Sequence, residues 1–323
     1  MAMVLCCAAG NTRPRVILDT DIDSDVDDVG ALAMLLNLHN SNKIDLIGII
    51  VTSDDNYAPM CVEAITAFYN APGIPVAFLH GQPELRNHSR YTRQIANEFS
   101  ARSISHNDFP DVADLYRKLL SQSGDSSVVL ITIGHLSGLQ KLLQSPGNDN
   151  YSGLSGRELT ALKVKSWLCM GGMFPEGKEA NFYRPDPEST YYCLSNWTGK
   201  VVFCGWEVGK EIVTGGEYLK EHVAKDSPLY RGYELYNNFQ GRASWDQVAV
   251  LLLDRRSEEY FSFRSDGRCV VDKTGYNWWK EGMEENHSYL IFKKDADLKE
   301  IAAYTDKLMI GDPETLKSVS IIY

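Results

Sequence analysis

Val16–Leu35, VILDTDIDSDVDDVGALAML, places six aspartates (Asp19, Asp21, Asp23, Asp25, Asp27 and Asp28) within ten positions. An apolar run precedes them. Behind them Val29, Leu32, Leu35 and Leu36 recur at helical spacing and are expected to face inward. An acidic run is ordinarily a solvated face. This one sits between a buried-strand pattern and a helix, and in a parallel α/β sheet that junction is the ligand-binding edge. Asp27 and Asp28 open the helix, where the dipole accepts negative charge. The remaining repulsion is relieved by a hard cation that takes oxygen ligands, Ca²⁺ or Mg²⁺.

Working outward, apolar strand patterns alternate with helical ones. KIDLIGIIVT, IPVAFL, SSVVLITIG, ALKVKSWLCMGG and VVFCGWEVG read as strands. PMCVEAITAFYNA, Ile95–Ser103, Val112–Ser121, HLSGLQKLLQS, SPLYRGYELYNNF and SWDQVAVLLLD read as helices. The alternation predicts an α/β fold: an open, mostly parallel, Rossmann-like sheet flanked by helices. From Ser257 the pattern changes. YFSFR, RCVVD, YNWWKE and SYLIFKK predict a small antiparallel C-terminal elaboration, followed by a helix over 297–309. Ordinary packing is the expected role of the aromatic YNWW. No repeat or low-complexity linker interrupts 13–323, which reads as a single domain.

The chain has 323 residues, 44% hydrophobic and 23% charged, with a net charge of −11. An acidic balance argues against nucleic acid or an anionic membrane as the partner. No run approaches the roughly 18 apolar residues of a membrane span. Seven scattered cysteines, an odd number without a CxxC pair, are neither a disulfide framework nor a thiolate zinc site. Residues 1–12 contain MAMVLCCAAG, which reads as the end of a leader cut near Ala9 and then implies a periplasmic or secreted protein. Read as an unstructured N-terminus, it implies a cytoplasmic one.

The aspartate run does not fit an EF-hand: counted from Asp21, Val26 stands where that loop needs glycine and Leu32 where it needs glutamate. VILDTDID also suits a Mg²⁺-dependent phosphatase of the haloacid-dehalogenase kind, which stays open on these residues alone. The closer resemblance is to the calcium-dependent nucleoside hydrolases, whose mark is an apolar strand, D-x-D, a short turn and D-D opening an Ala/Leu-rich helix. The resemblance continues in order through IGIIVTSDDNYAPMCVEAI, ITIGHLSGLQKLL, MGGMFPEGKEANFYRPDPEST and SWDQVAVLLL. The sequence departs from the family pattern in a longer acidic turn, in Ser137 for the common Thr, in Ala180 for a frequent aromatic, and in the wider gap from Asn181 to Asp186.

The resemblance implies hydrolysis of the N-glycosidic bond of a ribonucleoside, giving ribose and free base. It implies Ca²⁺ held by Asp21, Asp28, Asp246 and the Ser137 carbonyl, with Asp21 also the general base. If the extra turn residues lie before the turn, Asp23 takes that role; otherwise Asp23 is an exposed turn residue. Asp25, Asp27, Asn56, Glu179 and Asn181 are implied at the sugar. Trp245, just before Asp246, is implied as a stacking platform for a purine; the alternative is an indole packed under the helix start. A second stacking aromatic is expected after the third strand, where Phe78 and Tyr91 are available. His80, His88 and His135 are nominal acids. The partner implied is a small nucleoside, in a homo-oligomer, dimer or tetramer. A calcium- or sugar-binding protein without catalysis on the same fold is the other reading, since fold does not determine activity.

Overall fold

In a computed structural model the described residues are 13–81, 89–100, 103–148, 150–282 and 286–323. The leader reading and His88 lie outside them. The segment after the first apolar run behaves as its pattern requires. Strand β1 (Arg15–Thr20) is buried from Val16 onward, as a strand covered on both faces must be. Its neighbours are β2 (Asp45–Val51), β3 (Val76–Phe78), β4 (Val128–Thr132), β5 (Val164–Met170) and β7 (Val201–Cys204). β6 is Glu176–Gly177, β8 Val213–Thr214 and β9 Arg242–Ala243; the late strands are β10 (Phe261–Arg264), β11 (Gly267–Val271), β12 (Asn277–Glu281) and β13 (His287–Phe292).

The main sheet has the order β10-β13-β7-β5-β4-β1-β2-β3. All its pairings are parallel except β10 with β13. The fold is therefore the α/β architecture the alternation predicts. From β1 the chain moves one way, through β2 to β3, and from β4 it moves the other, through β5 to β7. The reversal leaves a crevice beyond the carboxyl ends of β1 and β4, where such sheets bind ligands.

The tail departs from the expected appendage. β10 and β13 extend the main sheet, and only β11 and β12 form a separate sheet, with β6 from mid-chain. That small sheet pins the glycine-rich loop after β5. Buried Asn277 accepts from Met173 N at 2.9 Å and donates to Met173 O at 2.8 Å. Phe174 stacks on Tyr289 at 4.6 Å, and Trp279 meets Tyr289 edge-on at 4.9 Å. Within YNWW, Asn277 and Trp279 are packing residues, and Tyr276 and Trp278 are half-buried.

The helix Asp27–Asn40 is rich in Ala, Leu and Met, which propagate helices well. Its burial exceeds the one-sided stripe read from spacing: Ala31, Ala33 and Met34 are buried too. The helices Trp245–Leu251 and Leu298–Ile310 pack against it. Gly30 permits this approach, since a Cβ there would lie 2.5 Å from Gln247 Nε2 and 2.7 Å from Met309 Sδ. Among the described residues no helix is long and apolar enough to cross a membrane. The five described cysteines are free and buried.

Candidate active site

The loop after β1 carries the aspartates into the crevice. Asp27 and Asp28 are 3% exposed and Asp246 4%. One carboxylate oxygen from each lies within 4.8 Å of the other two. Helix starts deliver all three: Asp27 and Asp28 begin Asp27–Asn40, and Asp246 lies in the first turn of Trp245–Leu251. The two helices are stitched at this point, Asp246 N donating to Asp27 Oδ2 at 3.3 Å. Thr20, the last residue of β1, donates its hydroxyl to Asp28 Oδ1.

Asp21 stands beside this triad, packed so closely on Gly134 that a Cβ there would lie 2.5 Å from its Cγ. Burial first, and then the neighbouring carboxylates, push the pKa values of Asp21, Asp27, Asp28 and Asp246 well above the usual carboxylate range. Glu179, buried at the end of the glycine-rich loop, is raised to about 7 by desolvation, although the Asn181, Gly172 and Phe182 amides hold it down. A dry cluster of like charges is stable only if protonated or bound to a cation. All-oxygen donors at this spacing fit a hard divalent ion.

Two adjoining cavities open here. One, about 210 Å³, is lined by Asp21, Asp25, Asp27, Asp28, Asp246, Glu179, Asn181 and Ile133, with Trp206, Trp245, Arg184 and Arg242 on its outer walls. The other, about 320 Å³, shares Asp21, Asn181 and Arg184 and adds Asp23, Asp54 and His135. Asn181 Nδ2 donates to the carbonyls of Ile133 (3.2 Å) and Met170 (3.3 Å), bridging the ends of β4 and β5.

Several expected placements shift. Ser137 starts the helix Ser137–Gln144 and lines neither cavity; its hydroxyl donates to Asp186 Oδ2 at 2.9 Å. The residue in the β4 loop that reaches the acidic cavity is Ile133, because the chain leaves the strand there before turning into the helix. Asn56 lies in the turn before Ala58–Phe68 and lines neither cavity; Asp54 does. Asp23 is not an exposed turn residue but 6% exposed, accepting Ser53 Oγ at 2.5 Å. Asp25 is taken up by Arg242, whose Nε lies 2.9 Å from both its oxygens. Tyr91 is buried and donates to Asp25 O, and Phe78 contacts His80 and His106, so neither offers a stacking face. His80 is bonded to Phe109 O at 2.8 Å, away from both cavities.

The family description "Inosine-uridine preferring nucleoside hydrolase" matches residues 16–298. The chain belongs to that family. It is accordingly a hydrolase of N-glycosyl bonds, and the phosphatase reading falls. Solved structures of similar fold include a plant nucleoside hydrolase (16% identity, 92% of this chain and 99% of that one, TM-score 0.67). Another is the purine-preferring ribonucleoside hydrolase of Gardnerella vaginalis (14%, 94% and 99%, TM-score 0.66). A third is the type III effector XopQ, solved with adenosine diphosphate ribose (12%, 95% and 94%, TM-score 0.64). At these identities the likeness is one of fold. No curated protein sequence matches.

For this nucleoside hydrolase family member, sequence reasoning missed Ile133, Arg184, Trp206 and Arg242. Trp206 was within reach, because it lies two residues past the end of the strand VVFC, at the ligand edge. Arg242 was not, because it lies 217 residues from the aspartate it pairs with.

Proposed function

We propose that the protein is a calcium-dependent ribonucleoside hydrolase that prefers purines. The buried Asp27–Asp28–Asp246 triad carries this reading, taken with membership of the family. These three carboxylates would hold the ion, with Asp21 at its flank; Asp27, expected at the sugar, is thereby assigned to the ion instead. A bound divalent cation supplies charge neutralisation and makes a coordinated water more acidic. Asp21, beside the triad and lining both cavities, would accept the proton of the attacking water. Glu179 and Asn181 engage the sugar hydroxyls, and the surrounding carboxylates favour positive charge developing at C1′. Asp25 and Asn56 drop out of the sugar-binding set. The broad flat wall of Trp206, Trp245 and Arg242 suits a bicyclic base.

Release of base from inosine, adenosine, guanosine, uridine and cytidine tests this, with and without chelator and with Asp28→Ala beside the wild type. Purine release that disappears on chelation and in the variant is expected. Turnover indifferent to chelator would overturn the calcium role, and faster pyrimidine release the base preference.

Arg184, at the mouth and lining both cavities, favours one second reading: a binder of an anionic ribosyl compound without turnover. Saturable binding of adenosine diphosphate ribose, with no base released from any nucleoside, would select it.

A further inference from the structure

Trp245 does not present a bare face to a ligand. The Arg242 guanidinium lies 4.8 Å from its ring centroid and 5.7 Å from that of Tyr236. The indole also packs against Gly209, where a Cβ would lie 2.4 Å from Trp245 Cδ1. Trp245 Nε1 is committed to Trp206 O at 3.0 Å. Arg242 itself is anchored: Nε contacts both Asp25 oxygens at 2.9 Å, and Nη2 pairs with Oδ2. Asp25 is fixed in turn, accepting from Val26 N at 2.7 Å through its side chain and from the Tyr91 hydroxyl through its carbonyl. One nitrogen of the guanidinium, Nη1, has no partner among the described residues. The result is a planar cation held rigid in the cavity wall with donors to spare.

We propose that Arg242 is the residue that receives the leaving base. This rests on the hydrolase reading and deepens it. As the C1′–N bond breaks, its electron pair passes to the base nitrogen. The water oxygen bonds to C1′ and its proton goes to Asp21. The base departs as an anion, takes a hydrogen bond from Arg242 Nη1 on an acceptor atom, and gains its proton from solvent. No proton leaves Arg242, whose acidity is too weak for that. A fixed cation favours the departing anion.

A leaving group that needs no help separates this role from a structural one. Inosine and p-nitrophenyl β-ribofuranoside are compared under saturating calcium for wild type, Arg242→Met, Arg242→Lys and Asp25→Asn. Arg242→Met is expected to lower kcat for inosine about 10²-fold to 10³-fold, and for the nitrophenyl riboside less than about tenfold. Arg242→Lys keeps the charge but loses the planar fork, and falls between. Asp25→Asn leaves Arg242 present but loosely held, and shows a smaller loss with the same selectivity; it covers the case of a misfolded Met variant. Equal losses on both ribosides, or an unchanged inosine rate, would overturn the assignment. Wild-type inertness toward both would overturn the hydrolase reading itself, and this assignment with it.

Discussion

Around Asn277 both ends of a buried amide are answered by Met173, and the aromatic rings beside it stack face to edge and face to face. Around Asp28, some way along the same sheet edge, four carboxylates crowd together, and a threonine hydroxyl and a backbone amide are the main donors they receive. The first region is complete within the chain and holds the glycine-rich loop at a constant position. The second leaves its charges to be met by protons or by a cation. Rigidity is thus built beside the site, and the charge conflict is confined to the point where chemistry is required.

Four measurements break or sharpen this contrast. The largest effect is expected from Asp246→Asn, which removes one of the three converging charges: kcat on inosine should fall roughly 10³-fold. The calcium-induced rise in unfolding midpoint should shrink with it. An undiminished calcium response would place the ion elsewhere. Next comes Thr20→Val, which keeps the shape of the side chain and deletes the hydroxyl that orients Asp28. Calcium affinity, read by calorimetric titration, should weaken about 10-fold to 100-fold.

Asn277→Ala acts on the other region. It leaves Met173 N and O without their partner and should lower stability by about 1–3 kcal/mol in denaturant unfolding. The loss should be the same with calcium or with chelator. A calcium-dependent loss would show that the two regions are not separate.

The smallest effect is one of pH. Glu179 titrates near 7 in the folded chain against an ordinary 4.5, so between those values the folded state holds more protons than the unfolded one. Stability of the chelated protein therefore falls as pH rises through that window, and Asp21, Asp27, Asp28 and Asp246 act in the same direction. A midpoint a few degrees higher at pH 5 than at pH 8 is expected with chelator, and a flatter profile with calcium, which keeps the carboxylates ionised. A chelated protein more stable at pH 8 would contradict the burial of these groups.

Much of the molecule was legible in order along the chain. The two-sided burial of β1, the helix opened by Asp27-Asp28, and Asp246 at a later helix start are local patterns, and local patterns follow from short-range sterics and hydrophobic spacing. Asp21, Glu179, Asn181 and Trp245 reach the cavity the sequence predicts. The differences in placement share a cause. Ser137 and Asn56 were placed by position in a motif, but whether a loop residue faces a crevice depends on where the chain leaves its strand, which spacing does not specify. β10 and β13 alternate like an appendage, yet β13 finds an open parallel edge at β7, a choice made by distant strands.

The chemistry was written in the chain: many carboxylates packed closely at the edge where parallel sheets bind ligands, a donor set suited to a hard cation. What only the tertiary structure decided was their company. Arg242 covers Trp245 and occupies Asp25, Asp23 turns inward to Ser53, and Ile133 rather than Ser137 lines the acidic cavity. Contacts between residues far apart in the chain depend on how whole layers pack. No local pattern encodes them, because each is settled by the summed burial of elements folded elsewhere.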